Sequence, residues 1–478
     1  MRRTLPIALI LCLLLTAVLG EDAAFVADPT PLSVPETPEP DFTAVREQYA
    51  GRLAEHLREL DALAAGRTAP CVYISAQDGA AILSKDFYVP CVVDVFNCDE
   101  AYRLTAEAGV KVRGNSTVTE EERPYRIRFA EKQNMLGLHD GRAYKSWVLL
   151  KSNWNLAMDH TGFNLARAIF DGRYYASDST FVNLYINGEW LGIYLLCEQN
   201  QPAKGRIDVH EPKEGETDIL TGYVVEIDNY PSDEHPHFEM PYGCAVVTDL
   251  TGKTRRLTQK NYSVKSDIRT QGQLVFIGSY IRGCFDILLE AAVSDRPMAF
   301  NEAYWVDPAE EVYATAQEAV EAVLDVDSLV DALILQELVH NFDVGEGNFY
   351  MAIDFTEKSI YPRLTFVAPW DFNWGYAGEP DGGYYACTFQ PYAANSERSN
   401  PWFIVAMKCD WFRERVRARW AELSASGVLE EALERVRRDC EALRSDLGRD
   451  AWKIDCAGDL LRFVKGRIAW LDSQWLEQ

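Results

Sequence analysis

Two aspartates and an asparagine in the last third of the sequence have types and spacing that could do chemistry. Asp343 is followed five residues later by Asn348, where a predicted helix gives way to a predicted strand. Asp371 follows the next predicted strand, within the aromatic-rich run of residues 369–375. A hairpin of the two strands would bring two carboxylates and one amide together.

This group of side chains suits phosphoryl transfer, because that reaction asks the protein for positioning and charge neutralisation. Mg²⁺ prefers hard oxygen ligands and completes its octahedron with waters and phosphate oxygens. Asp343 and Asn348 have the spacing of a protein-kinase catalytic loop, in which an Asp orients the acceptor hydroxyl and an Asn binds metal. Asp371 lies where a metal-binding Asp is expected. The same residue types are common in turns and caps, so spacing alone leaves a structural role open.

The predicted elements around these residues change from strands to helices along the chain. Strand patterns occur in residues 70–100, 110–114, 125–129, 147–151, 181–196, 222–228, 349–353 and 364–368. Helical periodicity occurs in residues 43–65, 159–171, 276–342 and 401–478, whereas residues 250–275 are polar and irregular. Asn187-Gly188 lies between two apolar runs and predicts a hairpin. This order predicts an α+β fold in two lobes, the first rich in strands and the second in helices.

The N-terminus has the pattern of an export signal followed by a linker. Arg2 and Arg3 precede an apolar run, which predicts a secretory signal peptide at residues 1–20, with an uncleaved membrane anchor as the alternative. Residues 21–42 contain five prolines among acidic and small residues, which is typical of an unfolded linker. Residues 43–478 are predicted to form one domain that is secreted or at the cell surface, with no membrane segment after signal cleavage.

The charge and the cysteines restrict the partners. A net charge of −26 argues against nucleic acid and anionic lipid and suits a basic protein partner, although solubility alone would also explain the charge. A ligand that carries phosphates would therefore need a local basic pocket. Of the eleven cysteines, Cys12 lies in the predicted signal, and the spacing of the others is not that of a zinc site. Disulfides and buried thiols are both consistent with the ten that follow.

Several stretches along residues 70–475 resemble the CotH kinase family, the spore coat protein H-like kinases. They are residues 112–116, 125–129, 145–150, 185–198, 222–228, 343–348 and 369–372. The resemblance implies an atypical protein-kinase-like fold that uses ATP and Mg²⁺ or Mn²⁺. It also implies phosphate transfer to serine-rich, often basic, coat or extracellular proteins. By position, Asp343 resembles the catalytic Asp of the family and Asp371 its metal-binding Asp, to which the loop spacing adds Asn348 as a metal ligand.

The cations that would bind the phosphates of ATP are predicted on strands of the first part. Arg113 and Lys151 are the favoured candidates, and Glu198 could orient such a cation or hold metal. A solvated strand face or a surface ion pair would explain the same residues. Residues 161–164 depart from the family, which usually has an arginine there, so the identity of the phosphate-binding cation stays open. Further candidates with weaker support are Arg126, Arg128, Glu226, Asp228 and Lys265.

Two other functions are compatible with these residues. One is a catalytically inactive kinase-like surface or structural protein that binds a partner. The other is a nucleotidyl transferase that moves AMP. The presence of Asp343, Asn348 and Asp371 favours an active kinase over the binding protein. Nothing in the sequence separates a kinase from a nucleotidyl transferase.

Overall fold

The computed structural model describes most of the chain beyond the predicted export signal. The described residues are 28–33, 38–114, 122–151, 155–229, 231, 235–242, 245–341, 343–393 and 396–476, without the side chains of 391–397. The predicted signal peptide, residues 1–20, lies outside these ranges. Within them, no helix has the length and apolarity needed to cross a membrane.

Seven strands of the first part form a closed barrel. They are β1 Cys71–Ala76, β2 Val89–Phe96, β3 Leu104–Val112, β4 Tyr125–Gln133, β5 Tyr144–Leu150, β6 Ser179–Ile186 and β7 Glu189–Glu198. The strand order is β1-β2-β3-β4-β5-β7-β6, and a parallel pairing of β1 with β6 closes the barrel. Val110 and Ile127 point into the barrel core, and the alternation of side chains along a strand places Lys111 and Arg126 outside it.

The predicted hairpin at Asn187-Gly188 is confirmed, since these two residues join β6 to β7. Asn187 has φ +51° and Gly188 has φ +91°. Both central residues of a type I′ turn need positive φ, which Asn and Gly adopt at the least cost. The hairpin carries the end of β7 back along the barrel to Glu198.

A second sheet brings together strands that are far apart in the sequence. It contains β8 Gly222–Ile227, β9 His237–Met240, β12 Lys260–Val264, β15 Phe349–Asp354 and β16 Thr365–Val367, in the order β16-β15-β8-β12-β9. Three two-stranded ribbons add β10 Val246–Thr248 with β11 Thr254–Arg256, β13 Met298–Phe300 with β14 Val306–Pro308, and β17 Pro391–Ala393 with β18 Ser396–Glu397. The prediction of irregular structure in residues 250–275 is wrong for β11, for β12 and for the first turn of the helix Gln271–Ser294. The short, polar sequence of β12 gives no clear period, and its pairing with β8 and β9 determines its conformation.

Helices dominate the last part of the chain, as predicted. The helices are α1 Thr43–Ala64, α2 Met158–Phe170, α3 Gln271–Ser294, α4 Ala316–Val323, α5 Val326–Val339, α6 Pro401–Ala406, α7 Asp410–Ser426, α8 Val428–Ala442 and α9 Trp452–Trp475. Single helical turns occur at Leu138–Gly141 and Arg444–Leu447. α2, α5, α7, α8 and α9 pack on one another, with α2 between the barrel and the other helices. The fold is therefore a mixed α/β fold with a strand-rich first part and a helical C-terminal part.

The described part of the predicted linker contacts the domain. The backbone N–H groups of Gln271 and Gly272, in the first turn of α3, donate to Thr30 O (2.8 Å) and Asp28 O (2.9 Å). Leu32 N donates to Arg269 O at 3.0 Å. The first N–H groups of a helix have no partner within the helix, so this segment satisfies them. Residues 28–32 thus lie against the start of α3.

The nine described cysteines form no disulfide with one another. Most of them are buried in the hydrophobic core, where Cys behaves as a small apolar residue. The sequence was consistent with disulfides and with buried thiols, and the described cysteines are thiols.

A buried histidine fastens α1 to the outside of the barrel. His56 Nε2 lies 2.9 Å from Asp94 Oδ2, and Asp94 Oδ1 accepts hydrogen bonds from Tyr49 (2.9 Å) and Thr105 (2.6 Å). The hydrogen bond with Asp94 raises the pKa of His56 above its ordinary value of 6.5. The charged imidazole therefore stabilises the folded state at a pH below the ordinary value, and this contribution is lost as the pH rises through the folded pKa.

We therefore expect His56→Gln to reduce the free energy of unfolding most at acidic pH. The difference between the wild type and the variant should become smaller as the pH rises through the neutral range, because the wild-type imidazole loses its charge. Urea denaturation at a series of pH values measures this difference. A difference that stays constant from pH 5.5 to 8.5 would show that the ion pair does not contribute.

Candidate active site

Asp343 and Asn348 lie in one tight loop between α5 and β15. Asn348 Nδ2 donates to Asp343 Oδ2 at 3.4 Å, a long hydrogen bond. Asp343 O accepts from Glu346 N (2.8 Å) and Gly347 N (2.9 Å), which turns the chain back toward the strand. Asn348 has φ +63° directly before β15, a conformation that Asn tolerates better than most residues. The structure thus places these two predicted residues side by side.

The other carboxylate oxygen of Asp343 is bound by an arginine that the sequence analysis did not identify. Arg398 Nη1 donates to Asp343 Oδ1 at 2.5 Å. Burial raises the pKa of Asp343, and the positive charge of Arg398 opposes this rise. Arg398 is 55 residues from Asp343, and no local motif links the two.

Asp371 follows β16, and the charge of Asp343 acts on its carboxylate. Its backbone has φ +58°. Burial raises the pKa of Asp371 to about 7, and the carboxylates of Asp159 and Asp343 add to this rise while Arg113 opposes it. A carboxylate with two acidic neighbours and one arginine has negative charge that a cation would neutralise.

Asp159, in the first turn of α2, is the carboxylate that the sequence analysis missed. Its Oδ1 accepts a hydrogen bond of 2.7 Å from the backbone N of Phe372, the residue after Asp371. Burial raises the pKa of Asp159 to about 6, while this hydrogen bond and Arg113 oppose the rise. An acidic residue at a helix start is common, so the sequence signal was present but not specific.

The start of α2 fixes the backbone on both sides of Asp371. A Cβ atom on Gly162 would lie 2.2 Å from the Phe372 ring, so only glycine allows this contact. The ring of Phe163 packs against Trp370 (5.3 Å between centroids) and edge-on against Phe372 (5.7 Å). Tyr376 Oη donates to Met158 O at 2.9 Å. Three aromatic residues around Asp371 therefore pack on α2 and form a hydrophobic wall: Trp370, Phe372 and Tyr376.

Arg113 lies beside this wall, directly after β3. Its guanidinium carbon is 5.3 Å from the centroid of the Trp370 ring, within the range of a cation–π contact. Its positive charge opposes the raised pKa values of both Asp159 and Asp371. The structure thus places Arg113 with the acidic residues.

Lys151 lines a cavity of about 200 Å³ between the barrel and the helices. Its Nζ lies 3.3 Å from both Glu122 Oε1 and Leu191 O and 4.7 Å from the centroid of the Tyr194 ring. Burial lowers the pKa of Lys151, and Glu122 opposes this effect. The other cavity-lining residues are Glu122, Leu150, Leu156, Asp159, Phe181, Trp190, Leu191, Gly192, Ile193, Leu195, Leu447, Asp450 and Lys453. Since Asp159 lines the cavity and bonds the residue after Asp371, the cavity adjoins the acidic residues.

Glu198, the third predicted nucleotide-binding residue, is completely buried and bonded within the protein. Its Oε1 accepts from Arg206 Nε at 2.9 Å. Its Oε2 lies 2.8 Å from His139 Nδ1 and accepts from Asp178 N at 3.0 Å. The cation that Glu198 orients is therefore Arg206 rather than Arg113 or Lys151. A contact of Glu198 with the nucleotide stays a prediction.

An ion pair of the second sheet borders the loop on the side of Asn348. Lys265 Nζ lies 2.9 Å from Glu226 Oε2 and 3.0 Å from Asp228 Oδ2. Glu226 Oε1 accepts from Asn348 N at 3.2 Å. The pKa of Glu226 is raised by burial, which Lys265 opposes. These residues connect β8 and β12 to the loop that carries Asp343.

The side chains of this site fit a hard divalent cation by donor type. Asp159, Asp343, Asn348 and Asp371 offer oxygen donors, and the mutual repulsion of Asp159 and Asp371 would be relieved by a cation. Within the described ranges, no three or more His, Cys, Asp or Glu side chains are grouped so that they could hold a metal ion by themselves.

The chain belongs to the CotH kinase family. The family described as CotH kinase protein matches residues 110–241 and 304–459, which is more than half of the chain. The two matched ranges contain all six predicted site residues and also Asp159 and Arg398. Lys265 lies between them, in the unmatched part that also contains β12.

The other comparisons add little. No curated protein matches the chain significantly. Among solved structures, a chain of the Shewanella oneidensis MR-1 toxin–antitoxin complex of HipA, HipB and operator DNA matches at 13% identity. That match covers 70% of this chain and 58% of the other, with a TM-score of 0.27. A TM-score this low does not establish a common fold.

Proposed function

We propose that this protein is an exported protein kinase that transfers the γ-phosphoryl group of ATP to Ser or Thr hydroxyls of extracellular or coat-type proteins. The observation that carries the proposal is the contact of Asn348 with Asp343 in one loop that shares its electrostatic environment with Asp371. Membership of the CotH kinase family supports it. The barrel and the helical part would form the two lobes of a kinase-like fold, with ATP between them.

In this proposal Asn348 and Asp371 hold Mg²⁺ or Mn²⁺, which would neutralise the phosphate charge when bound. Arg113 binds the phosphates from the barrel side, and Lys151 contacts the nucleotide from the cavity. Asp343 accepts a hydrogen bond from the acceptor hydroxyl and orients its oxygen toward the γ-phosphorus. Asp343 takes up the hydroxyl proton as the new bond forms.

The charge of the protein supports a basic acceptor. A net charge of −26 would attract a basic segment and repel nucleic acid. We therefore propose a basic, serine-rich protein as the acceptor, met outside the cell after export by the predicted signal peptide.

Transfer from labelled ATP tests the proposal. The purified protein is incubated with Mg²⁺ or Mn²⁺, γ-labelled ATP and a basic serine-rich peptide, beside the Asp371→Asn variant. Label on the peptide or on the protein itself, in the wild type only, is the expected result. Incorporation from α-labelled ATP instead would show nucleotidyl transfer. The absence of both labels and of metal-dependent ATP binding would favour a binding protein without catalysis.

Asp343→Asn should separate binding from transfer. Asn has the shape of Asp but cannot take up a proton, so transfer should fall about 100-fold or more. The Kd of the protein for ATP with Mg²⁺ should change only a few-fold, because Asp343 is not assigned to the metal or the phosphates. Calorimetric titration and the label assay measure the two quantities. Full transfer by this variant would show that Asp343 is not the base.

A further inference from the structure

Arg398 and Asp343 are both largely buried, and the two backbone segments that carry them pack against each other. Side-chain exposure is only 11% for Arg398 and 19% for Asp343. A Cβ atom on Gly345 would lie 2.4 Å from Arg398 O, so the backbone before α6 packs directly on the loop. Asn400 Nδ2 donates to Val344 O at 3.0 Å, while Asn400 Oδ1 caps α6. These contacts fix the backbone of residues 398–400 against the loop that carries Asp343.

Arg398 also contacts the segment that carries Asp371. Its guanidinium carbon lies 6.0 Å from the centroid of the Trp374 ring, three residues after Asp371. One side chain thus touches both chain segments that supply the proposed catalytic and metal-binding aspartates. A cation at this point can fix the position of one segment relative to the other.

The two oxygens of Asp343 have unequal partners. Oδ1 has the short hydrogen bond from Arg398 at 2.5 Å, whereas among the described residues Oδ2 has the long contact of 3.4 Å with Asn348. An acceptor hydroxyl needs one carboxylate oxygen with a free lone pair. Because Arg398 binds Oδ1, it prevents rotation of the carboxylate and leaves Oδ2 for the hydroxyl.

We propose that Arg398 is a positioning residue of the proposed kinase, which fixes Asp343 through Oδ1 so that Oδ2 faces the acceptor hydroxyl. The inference rests on the proposed function. In the transfer, the acceptor oxygen bonds to the γ-phosphorus while the bond from that phosphorus to the bridging oxygen of ADP breaks. The hydroxyl proton passes to Asp343 Oδ2 and then to solvent. Arg398 keeps its hydrogen bond to Oδ1 throughout.

The test compares Arg398→Ala and Arg398→Lys in the full chain, with the label assay and ATP titration. We expect Arg398→Ala to lower kcat about 100-fold, with the KM for ATP changed no more than about two-fold, because a preorganised charged donor is lost. Arg398→Lys should recover part of kcat, since an ammonium can still reach one carboxylate oxygen. Millimolar guanidinium ion should partly restore Arg398→Ala. The control is Arg282→Ala, which removes a half-exposed arginine that pairs with Asp286 of the same helix, α3.

Each other outcome overturns the inference. An active wild type with unchanged or higher kcat in Arg398→Ala would show that Arg398 does not position Asp343, and the proposed kinase would stand. Loss of kcat together with a lower Tm, without recovery by lysine or guanidinium, would show a purely structural role. A wild type that transfers no phosphate would overturn the kinase proposal and this inference together.

Discussion

Replacement of Asp371 by Asn should abolish metal-dependent ATP binding and phosphate transfer, yet leave the fold at least as stable as the wild type. The variant removes a carboxylate that we assign as a ligand of the metal. Loss of this negative charge beside the metal should reduce transfer at least about 100-fold. Stability should not fall, because the folded environment disfavours the ionised form of this residue, whose pKa is raised to about 7. Above that pH the neutral amide removes repulsion with Asp159 that the wild type must tolerate.

Thermal melting with and without ATP and Mg²⁺ measures both parts of this prediction. The wild type should gain Tm when ligand is added, since a ligand that binds only the folded state stabilises it. The Asp371→Asn variant should show an equal or higher Tm without ligand and no gain with it. Asp381→Asn, which changes an exposed aspartate of the same segment, is the matched control and should behave as the wild type. A ligand-dependent gain in Asp371→Asn equal to that of the wild type would refute the metal assignment.

The parts of this molecule that the sequence predicted depend on local patterns. The hairpin at Asn187-Gly188 is set by two residues that adopt positive φ easily. The contact of Asp343 with Asn348 follows from their five-residue separation within one loop between a helix and a strand. The change from strands to helices follows from hydrophobic periodicity, which is the strongest signal in a single sequence.

The parts that the sequence did not predict depend on contacts between distant segments. Asp159 and Phe372 are 213 residues apart, and no sequence pattern near Asp159 predicts the hydrogen bond that joins them. Arg398 likewise meets Asp343 only because Gly345 lets two backbones come close. The strand β12 takes its conformation from its neighbours.

Glu198 shows how a local pattern can point to the wrong partner. A glutamate at a strand end, in a stretch with several cations nearby, is typical of a residue that orients a phosphate-binding cation. The closed barrel buries this end of β7 completely, and Arg206, eight residues later, folds back to pair with it. A buried carboxylate needs a positive partner, and the sequence could not show which arginine would provide the positive charge.

Truncation of Arg467 should destabilise the fold strongly. Arg467 and Glu337 are both fully buried, with Arg467 Nη2 3.2 Å from Glu337 Oε2. Arg467 Nη1 also donates to Pro380 O (2.8 Å) and Gly383 O (3.1 Å), and Glu337 Oε1 accepts from Cys387 N at 3.1 Å. This ion pair therefore joins α5 and α9 to the segment between Asp371 and Arg398.

Arg467→Ala should lower the free energy of unfolding by about 3–5 kcal/mol, because it leaves the carboxylate of Glu337 buried without a counter-charge. Arg462→Ala, which removes an exposed arginine from the same helix, should change it by less than about 0.5 kcal/mol. Urea denaturation followed by circular dichroism measures both. The double variant Glu337→Gln/Arg467→Met should recover part of the loss, since it removes both charges and keeps apolar volume. A loss below about 1 kcal/mol in Arg467→Ala would show that water or another cation reaches Glu337, and that the segment from Asp371 to Arg398 is held by other contacts.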